Sequence, residues 1–215
     1  MSKSNLYAQT DFINVVNMAP ESNYQLADPI LVDFYKELKL RRIWITDTIE
    51  PDYMAEICRC ILRWNQEDDK IDPMLRQPII MCFNSPGGSL YAYLMLKDII
   101  NLSDTPIHGI LMSETASAAA LIFLNTHKRF SLPNATLTLH YGSIQLGGDA
   151  QNVTASMNQY YRELDNLKSD ILAHSNISKE ELEKKLVNDW ILNAQDMLQY
   201  GMCHNIVDNL SFFWE

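Results

Sequence analysis

Three polar residues and one glycine-rich turn could together carry out nucleophilic chemistry at an acyl group. Ser117 stands in a run of small residues, His140 ends an alternating apolar segment, and Asp189 precedes an apolar Trp-Ile-Leu. In acyl transfer a serine attacks, a histidine takes its proton, and an aspartate holds the histidine. The turn Ser85-Pro-Gly-Gly follows a long apolar run. Its backbone N–H groups could stabilise an oxyanion, because glycines let the chain turn sharply towards a ligand.

Each of these features also has an ordinary structural explanation. A serine before an apolar helix is commonly an N-cap, and an aspartate in a loop is commonly a cap or a solvated residue. A lone histidine at a strand end is usually structural, and most Pro-Gly-Gly turns are only turns. The chain order serine, histidine, aspartate differs from that of three well-known triad families, and no glycine flanks Ser117. The residues alone therefore leave catalysis and structure as open alternatives.

The elements that would position these residues alternate between strand and helix. The run Ile79-Ile-Met-Cys-Phe is continuously apolar, which is typical of a strand buried on both faces. Further strands are predicted at 106–112 and 135–140, and helices at 51–65 and 89–100. This alternation predicts parallel βαβ units and an α/β fold.

The C-terminal third contains a long helical stripe. Its apolar positions step by three and four residues: Val153, Met157, Tyr160, Leu164, Leu167 and Ile171. A helix from near Asp149 to near His174 would be roughly 39 Å long, so we expect it to project from the core. The stripe is narrow and suits packing against a helix of a second subunit. A long helix lying across one domain is the alternative.

Two local signals delimit the helices that follow. Ser178-Lys-Glu-Glu181 predicts a capping box that opens a short helix. Gly201 is expected to close the last helix from the position just beyond its C-cap.

Composition excludes several classes of protein. The chain has 215 residues, 47% apolar and 20% charged, which is enough for one sizeable core. Seventeen basic against 27 acidic residues give a net charge of −10, which disfavours nucleic-acid binding. The longest apolar run, 116–124, is far too short to span a membrane. The four cysteines form no CxxC pair and no histidine cluster has metal-ligand spacing, so reduced thiols in a cytosolic protein are expected.

At these residues the sequence resembles the ClpP family, the proteolytic subunits of the Clp proteases. The resemblance runs from about Asp33 to the C-terminus. Five segments carry it, in the family's order: Asp33-Phe-Tyr-Lys-Glu-Leu with Arg42-Ile-Trp-Ile-Thr; Phe83-Asn-Ser-Pro-Gly-Gly; Thr115-Ala-Ser-Ala; Lys128-Arg-Phe-Ser-Leu-Pro-Asn with Leu139-His140; and Asn188-Asp-Trp-Ile-Leu-Asn-Ala.

The resemblance implies a serine endopeptidase with a defined site. Ser117 would be the nucleophile, His140 the general base and Asp189 the residue that orients the histidine. Gly88 and Ala118 would supply the oxyanion N–H groups. The implied fold is a crotonase-like spiral of ββα units, formed by residues 31–215 as a single domain with a strand-helix handle at about 141–175. Residues 1–30 would be an N-terminal arm or axial-gate segment.

The resemblance also implies an assembly. Family members form two stacked heptameric rings, a tetradecamer, whose handles interlock around a closed chamber. Unfolded polypeptides are the expected substrates, delivered by an AAA+ unfoldase such as ClpX, ClpA or ClpC. The unfoldase would use the ATP, and no metal or small-molecule cofactor is implied for this chain. A cytoplasmic location, without a membrane or nucleic-acid partner, is expected.

The sequence departs from the family pattern at two places near the site. Ala118-Ala119 replaces Met-Gly after the nucleophile, which keeps the N–H but alters the pocket wall. Asn188 replaces an arginine that makes an inter-ring ion pair, so a weaker or differently coupled ring contact is expected. Two rival functions follow. One is a non-catalytic ClpP-like ring subunit, and the other is a crotonase-type acyl-CoA enzyme that shares the fold.

Overall fold

The computed structural model describes residues 28–142, 147–209 and 213. Its strands are β1 (Arg42–Ile45), β2 (Ile79–Ser85), β3 (Ile107–Ala116), β4 (Lys128–Ser131), β5 (Thr136–Leu139), β6 (Trp190–Asn193) and β7 (Asn205–Ile206). Its α-helices are α1 (Pro29–Lys39), α2 (Pro51–Glu67), α3 (Leu90–Asn101), α4 (Ser117–Leu124), α5 (Ala150–Ala173), α6 (Lys179–Lys185) and α7 (Ala194–Gln199). A short 3₁₀ turn spans Pro73–Leu75.

The strands form one sheet that is almost entirely parallel. Its main path runs β1-β2-β3-β4-β7, and β5 joins the far end of β3. Only the β5–β6 pair is antiparallel. Parallel strands need crossover connections, and α2, α3 and α4 supply them on the way from β1 to β4. The predicted α/β fold is confirmed.

The core lies where β2 and β3 meet the helices that cross over between strands. Residues of β2 such as Met81 and Phe83 are fully buried, as the continuous apolar run predicts. Helix α4 is buried all round, from Ala118 through Leu124. A helix that is apolar on every side belongs inside the core, so the segment that follows Ser117 is firmly held.

Strand β3 is longer than the sequence predicts, because it changes partners along its length. Its first half pairs with β4 through Leu111, and its last residues, 114–116, pair with β5. The register with β2 shifts on the way, from Phe83 opposite Leu111 to Ser85 opposite Thr115. The expected end at residue 112 is therefore wrong, since β5 supplies hydrogen-bond partners up to Ala116. This extension places Ser117 at the end of a strand.

The long helix predicted near 149–174 is α5. The Asp149 side chain caps its N-terminus by accepting the N–H of Asn152 at 2.9 Å. Its buried residues, Leu167, Asp170 and Ile171, all lie in the last two turns. The fully buried part of α5 is therefore its C-terminal end, and projection of the rest from the core stays a prediction.

The predicted start of α6 at Ser178 and the predicted end of α7 at Gly201 are both confirmed in position. The capping box at Ser178 is incomplete, however, because its glutamate has another partner. The Ser178 hydroxyl accepts the N–H of Glu181 at 3.2 Å and so caps α6. The Glu181 carboxylate accepts the Tyr200 hydroxyl at 2.8 Å, where a capping box would turn it back to Ser178. Gly201 closes α7 with φ of +70°, a conformation that favours glycine.

Most of the predicted N-terminal arm, residues 1–27, lies outside the described residues. Its last two residues, Pro29 and Ile30, already belong to α1. Within the described ranges, no helix is both long and apolar enough to cross a membrane.

Candidate active site

Ser117 occupies an unusual backbone conformation at the junction of β3 and α4. Its φ is +55°, in the left-handed region that side chains other than glycine rarely adopt. The residue is the first of α4, and Ala116 holds the N-cap position without a side-chain hydrogen bond. The N-cap explanation of Ser117 is therefore wrong. Such local strain costs about 1–3 kcal/mol and persists at sites where the surroundings impose it.

The Ser-Pro-Gly-Gly turn packs directly against this junction. A Cβ atom at Gly87 would lie 2.6 Å from both the Ala116 carbonyl oxygen and the Ser117 Cβ, so no larger residue fits there. Two backbone hydrogen bonds tie the turn to Ile49, one accepted by the Gly87 carbonyl and one donated by the Ser89 N–H. The Gly88 N–H takes part in neither and donates to no other described residue.

His140 and Asp189 lie at the same end of the β5–β6 pair. Leu139 pairs with Trp190 in the antiparallel register, and continuing that register by one residue sets His140 opposite Asp189. His140 is half-buried, whereas Asp189 is exposed. The fold thus brings the two residues to neighbouring positions on adjacent strands.

The three candidate triad residues are not joined by hydrogen bonds. The Nδ1 atom of His140 lies 2.8 Å from the carbonyl oxygen of its neighbour Tyr141. In a working triad this nitrogen would donate to the aspartate. Among the described residues, no hydrogen bond links His140 to Ser117 or to Asp189.

One cavity of about 790 Å³ collects four of the five predicted site residues: Ser117, Ala118, Gly88 and His140. Asp189 is not among its lining residues. Its volume falls within the range of about 300–1,000 Å³ that is typical of small-molecule sites. It is therefore large enough for several peptide side chains. Backbone donors, a serine and an imidazole therefore face a common space.

Helix α5 forms the other wall of the cavity. Tyr160, Leu164 and Leu167, which the sequence predicts only as part of a helical stripe, line this wall. The Tyr160 hydroxyl donates to the Gly142 carbonyl at 2.6 Å and ties the helix to the segment after His140. Glu163 also lines the cavity and accepts a hydrogen bond from the Gln159 amide at 2.9 Å. A carboxylate within an apolar helical stripe could have drawn attention to Glu163.

One buried polar atom next to the site lacks a partner. Thr115 is fully buried, and its Oγ1 forms no hydrogen bond with the described residues. An unsatisfied buried hydroxyl lowers the stability of the folded state.

The comparisons with known proteins point to one family, whose fold agrees with this α/β architecture. A family model described as Clp protease matches residues 27–210. The chain is 28% identical over 188 residues to the ATP-dependent Clp protease proteolytic subunit 1 of Tropheryma whipplei (strain Twist), covering 86% of each chain. It is 24% identical over 179 residues to the ATP-dependent Clp protease proteolytic subunit of Deinococcus radiodurans, covering 82% of this chain and 85% of the relative.

A third relative, the ATP-dependent Clp protease proteolytic subunit of Paracoccus denitrificans, is 30% identical over 133 residues, which are 61% of this chain and 67% of that one. The fold and the cavity thus define the class of protein. It is a mostly parallel α/β protein in which a cavity containing a serine lies between the end of the sheet and a long helix. The chain belongs to the Clp protease family, as the five sequence segments predicted.

Proposed function

We propose that this chain is a proteolytic subunit of a Clp protease and a serine endopeptidase. One observation carries the proposal: Ser117 sits in a left-handed turn at the wall of a cavity that His140 and Gly88 also line. A strained strand-to-helix turn exposes a nucleophilic serine in other hydrolases as well. The Clp protease names of its relatives support the same conclusion.

The proposed reaction is ordinary acyl transfer. Ser117 Oγ attacks the peptide carbonyl carbon while His140 takes the hydroxyl proton, and the carbonyl oxygen becomes an oxyanion. The N–H groups of Gly88 and Ala118 would hold that oxyanion, and the α4 N-terminus adds a favourable dipole. His140 then gives its proton to the leaving amine, and water releases the acyl group by the reverse sequence.

Catalysis requires a rotation of the imidazole. The Nδ1–H of His140 must leave the Tyr141 carbonyl and donate to Asp189, which stands opposite in the continued β5–β6 register. We infer that assembly into rings, or a bound substrate, favours the catalytic rotamer. The unjoined triad of the single chain also supports the second candidate, a non-catalytic ring subunit.

The assembly and partners follow from the same proposal. Stacked heptameric rings would enclose the cavity in a chamber, and an AAA+ unfoldase such as ClpX, ClpA or ClpC would deliver unfolded polypeptides. The unfoldase would hydrolyse ATP, so the chain itself would use no cofactor. The cytoplasm is the proposed location.

Labelling with a fluorophosphonate probe, followed by peptide mapping, tests the nucleophile. The purified assembly should carry the adduct on Ser117, and Ser117→Ala should lose both the adduct and peptide hydrolysis while keeping its assembly state. Ser169→Ala, an exposed serine on α5, serves as the matched control. Absence of labelling and hydrolysis with an unfoldase present would instead establish the non-catalytic subunit.

A further inference from the structure

The cavity beside Ser117 carries a negative charge on its α5 wall. Among the described residues that line the cavity, Glu163 is the one carboxylate, and none is a lysine or an arginine. Glu163 is half-buried, so solvent screens its charge less than that of a fully exposed residue. A ligand in this cavity therefore meets an anionic group close to the nucleophile.

The described partners of Glu163 are neutral, and none of them compensates its charge. The Gln159 amide donates to one carboxylate oxygen at 2.9 Å. The Tyr91 phenol also donates to Glu163, and the nearby negative charge raises the pKa of Tyr91. Since a carboxylate offers about four acceptor sites, capacity for a further donor remains.

The neighbouring arginine does not neutralise this carboxylate. Arg162 is exposed and donates to the side-chain Oε1 of Gln159 at 2.9 Å. Glu163 takes part in none of the salt bridges between described residues.

The rest of the same cavity is suited to an aliphatic chain. Leu121 from α4 and Leu164 and Leu167 from α5 line it together with Glu163. Lysine and arginine combine an apolar stem with a cationic tip, and such side chains bury the stem while the tip reaches a polar group. This combination of an apolar wall and one unpaired carboxylate fits those two side chains better than a purely apolar one.

We propose that Glu163 makes the cavity select peptides that carry a lysine or arginine next to the bond to be cut. The inference rests on the proposed peptidase function and names its substrate class. The side chain would lie along Leu121 and Leu164, and its cation would take the free acceptor positions of Glu163.

Quenched fluorescent peptides that differ only by Lys, Gln or Glu at one position flanking the scissile bond test this selectivity. At the best position the assembled protein should show a kcat/KM about tenfold higher for Lys than for Gln, the effect expected of one charge-assisted hydrogen bond. Glu163→Gln should reduce the ratio to about twofold or less. Asp165→Asn makes the same charge change at an exposed position on the same helix, and it should keep the full preference.

A charge reversal and a binding assay make the test decisive. Glu163→Lys should shift the preference to the Glu peptide. Binding of the same peptides to the Ser117→Ala background, followed by fluorescence anisotropy, reports the preference without hydrolysis. Hydrolysis without a Lys preference, or a preference unchanged in Glu163→Gln, would overturn the role of Glu163 and leave the peptidase intact. A Glu163-dependent binding preference without hydrolysis in the wild type would instead support the cation site and overturn the peptidase.

Discussion

Lys97 and Asp170 fasten the buried end of α5 to α3, and removing the lysine should be unusually costly. The Lys97 ammonium donates to both Asp170 oxygens, at 2.6 and 2.8 Å, and the Tyr93 hydroxyl donates to the same carboxylate. The Asp170 side chain is only 9% exposed and that of Lys97 19%. Burial alone raises the pKa of Asp170 to about 6, which shows how poorly this site tolerates an uncompensated charge.

The expected effect of Lys97→Met is a loss of about 3 kcal/mol in the free energy of unfolding at pH 7. Breaking a buried ion pair from one side typically costs about 3–5 kcal/mol, because a charge is left buried without its partner. The lower end applies here, since Tyr93 continues to donate to Asp170. Met fills the space of the lysine stem, so little of the loss comes from packing.

The stability that Lys97→Met loses should be smaller at acid pH. In the wild type burial already raises the pKa of Asp170 to about 6, and removing the Lys97 cation raises that pKa further because the carboxylate loses its counter-charge. As the pH falls from 7 to 5, the folded variant therefore takes up its proton at a higher pH than the folded wild type does, and it gains more stability relative to its unfolded chain. The deficit of Lys97→Met at pH 5 should therefore be smaller than at pH 7 by about 1 kcal/mol.

Urea unfolding, followed by tryptophan fluorescence, measures the loss of stability at pH 7 and its decrease at pH 5. The protein concentration is kept fixed, because subunit association itself adds stability. Lys184→Met, an exposed lysine on α6, is the control and should change stability by about 0.5 kcal/mol or less. Adding Asp170→Asn to Lys97→Met should restore part of the lost stability, because it removes the buried negative charge that Lys97 no longer balances. A Lys97→Met protein as stable as the control, or a deficit that is equal at pH 5 and pH 7, would refute the reasoning.

Two further predictions concern the site. If Asp189 orients His140 as proposed, Asp189→Asn should lower kcat on peptides by about 10⁴-fold while Ser117 and the assembly remain intact, because the imidazole would lose the group that sets its tautomer. Unchanged peptidase activity would make Asp189 merely structural. Thr115→Val should raise the free energy of unfolding by about 1 kcal/mol, because a methyl replaces a buried hydroxyl that has no partner among the described residues. A loss of stability in urea unfolding would show that the hydroxyl is hydrogen-bonded.

The parts of the fold with a strong local signal could be predicted from the sequence. The apolar run at 79–83 correctly predicted a buried parallel strand. The heptad-like stripe predicted α5 to within a residue at either end. The end of β3 could not be predicted, because its last residues are strand through pairing with distant segments, β5 and the end of β2. Distant pairing leaves no trace in the local periodicity of 112–116.

The candidate site was predictable in its residue types but not in its arrangement. Residue type and the family resemblance singled out Ser117 and His140, which the fold brings to one cavity. The sequence could not predict that His140 turns to the Tyr141 carbonyl, since a rotamer depends on its immediate surroundings. Glu163 could not be predicted for a similar reason: only the packing of α5 beside α4 places it in the cavity that Ser117 also lines.

The strained backbone of Ser117 is explained by what holds the chain on either side of it. Ala116 pairs with Thr138 in the sheet, and the seven residues after Ser117 are all buried in α4. The chain must therefore turn from strand to helix within a single residue, and a left-handed conformation allows this. Relaxing φ would displace either a sheet pairing or a core helix, each of which outweighs the roughly 1–3 kcal/mol of strain. Ser117 is thus held by two rigid elements at once, so its backbone is fixed before any substrate arrives, as the proposed nucleophile requires.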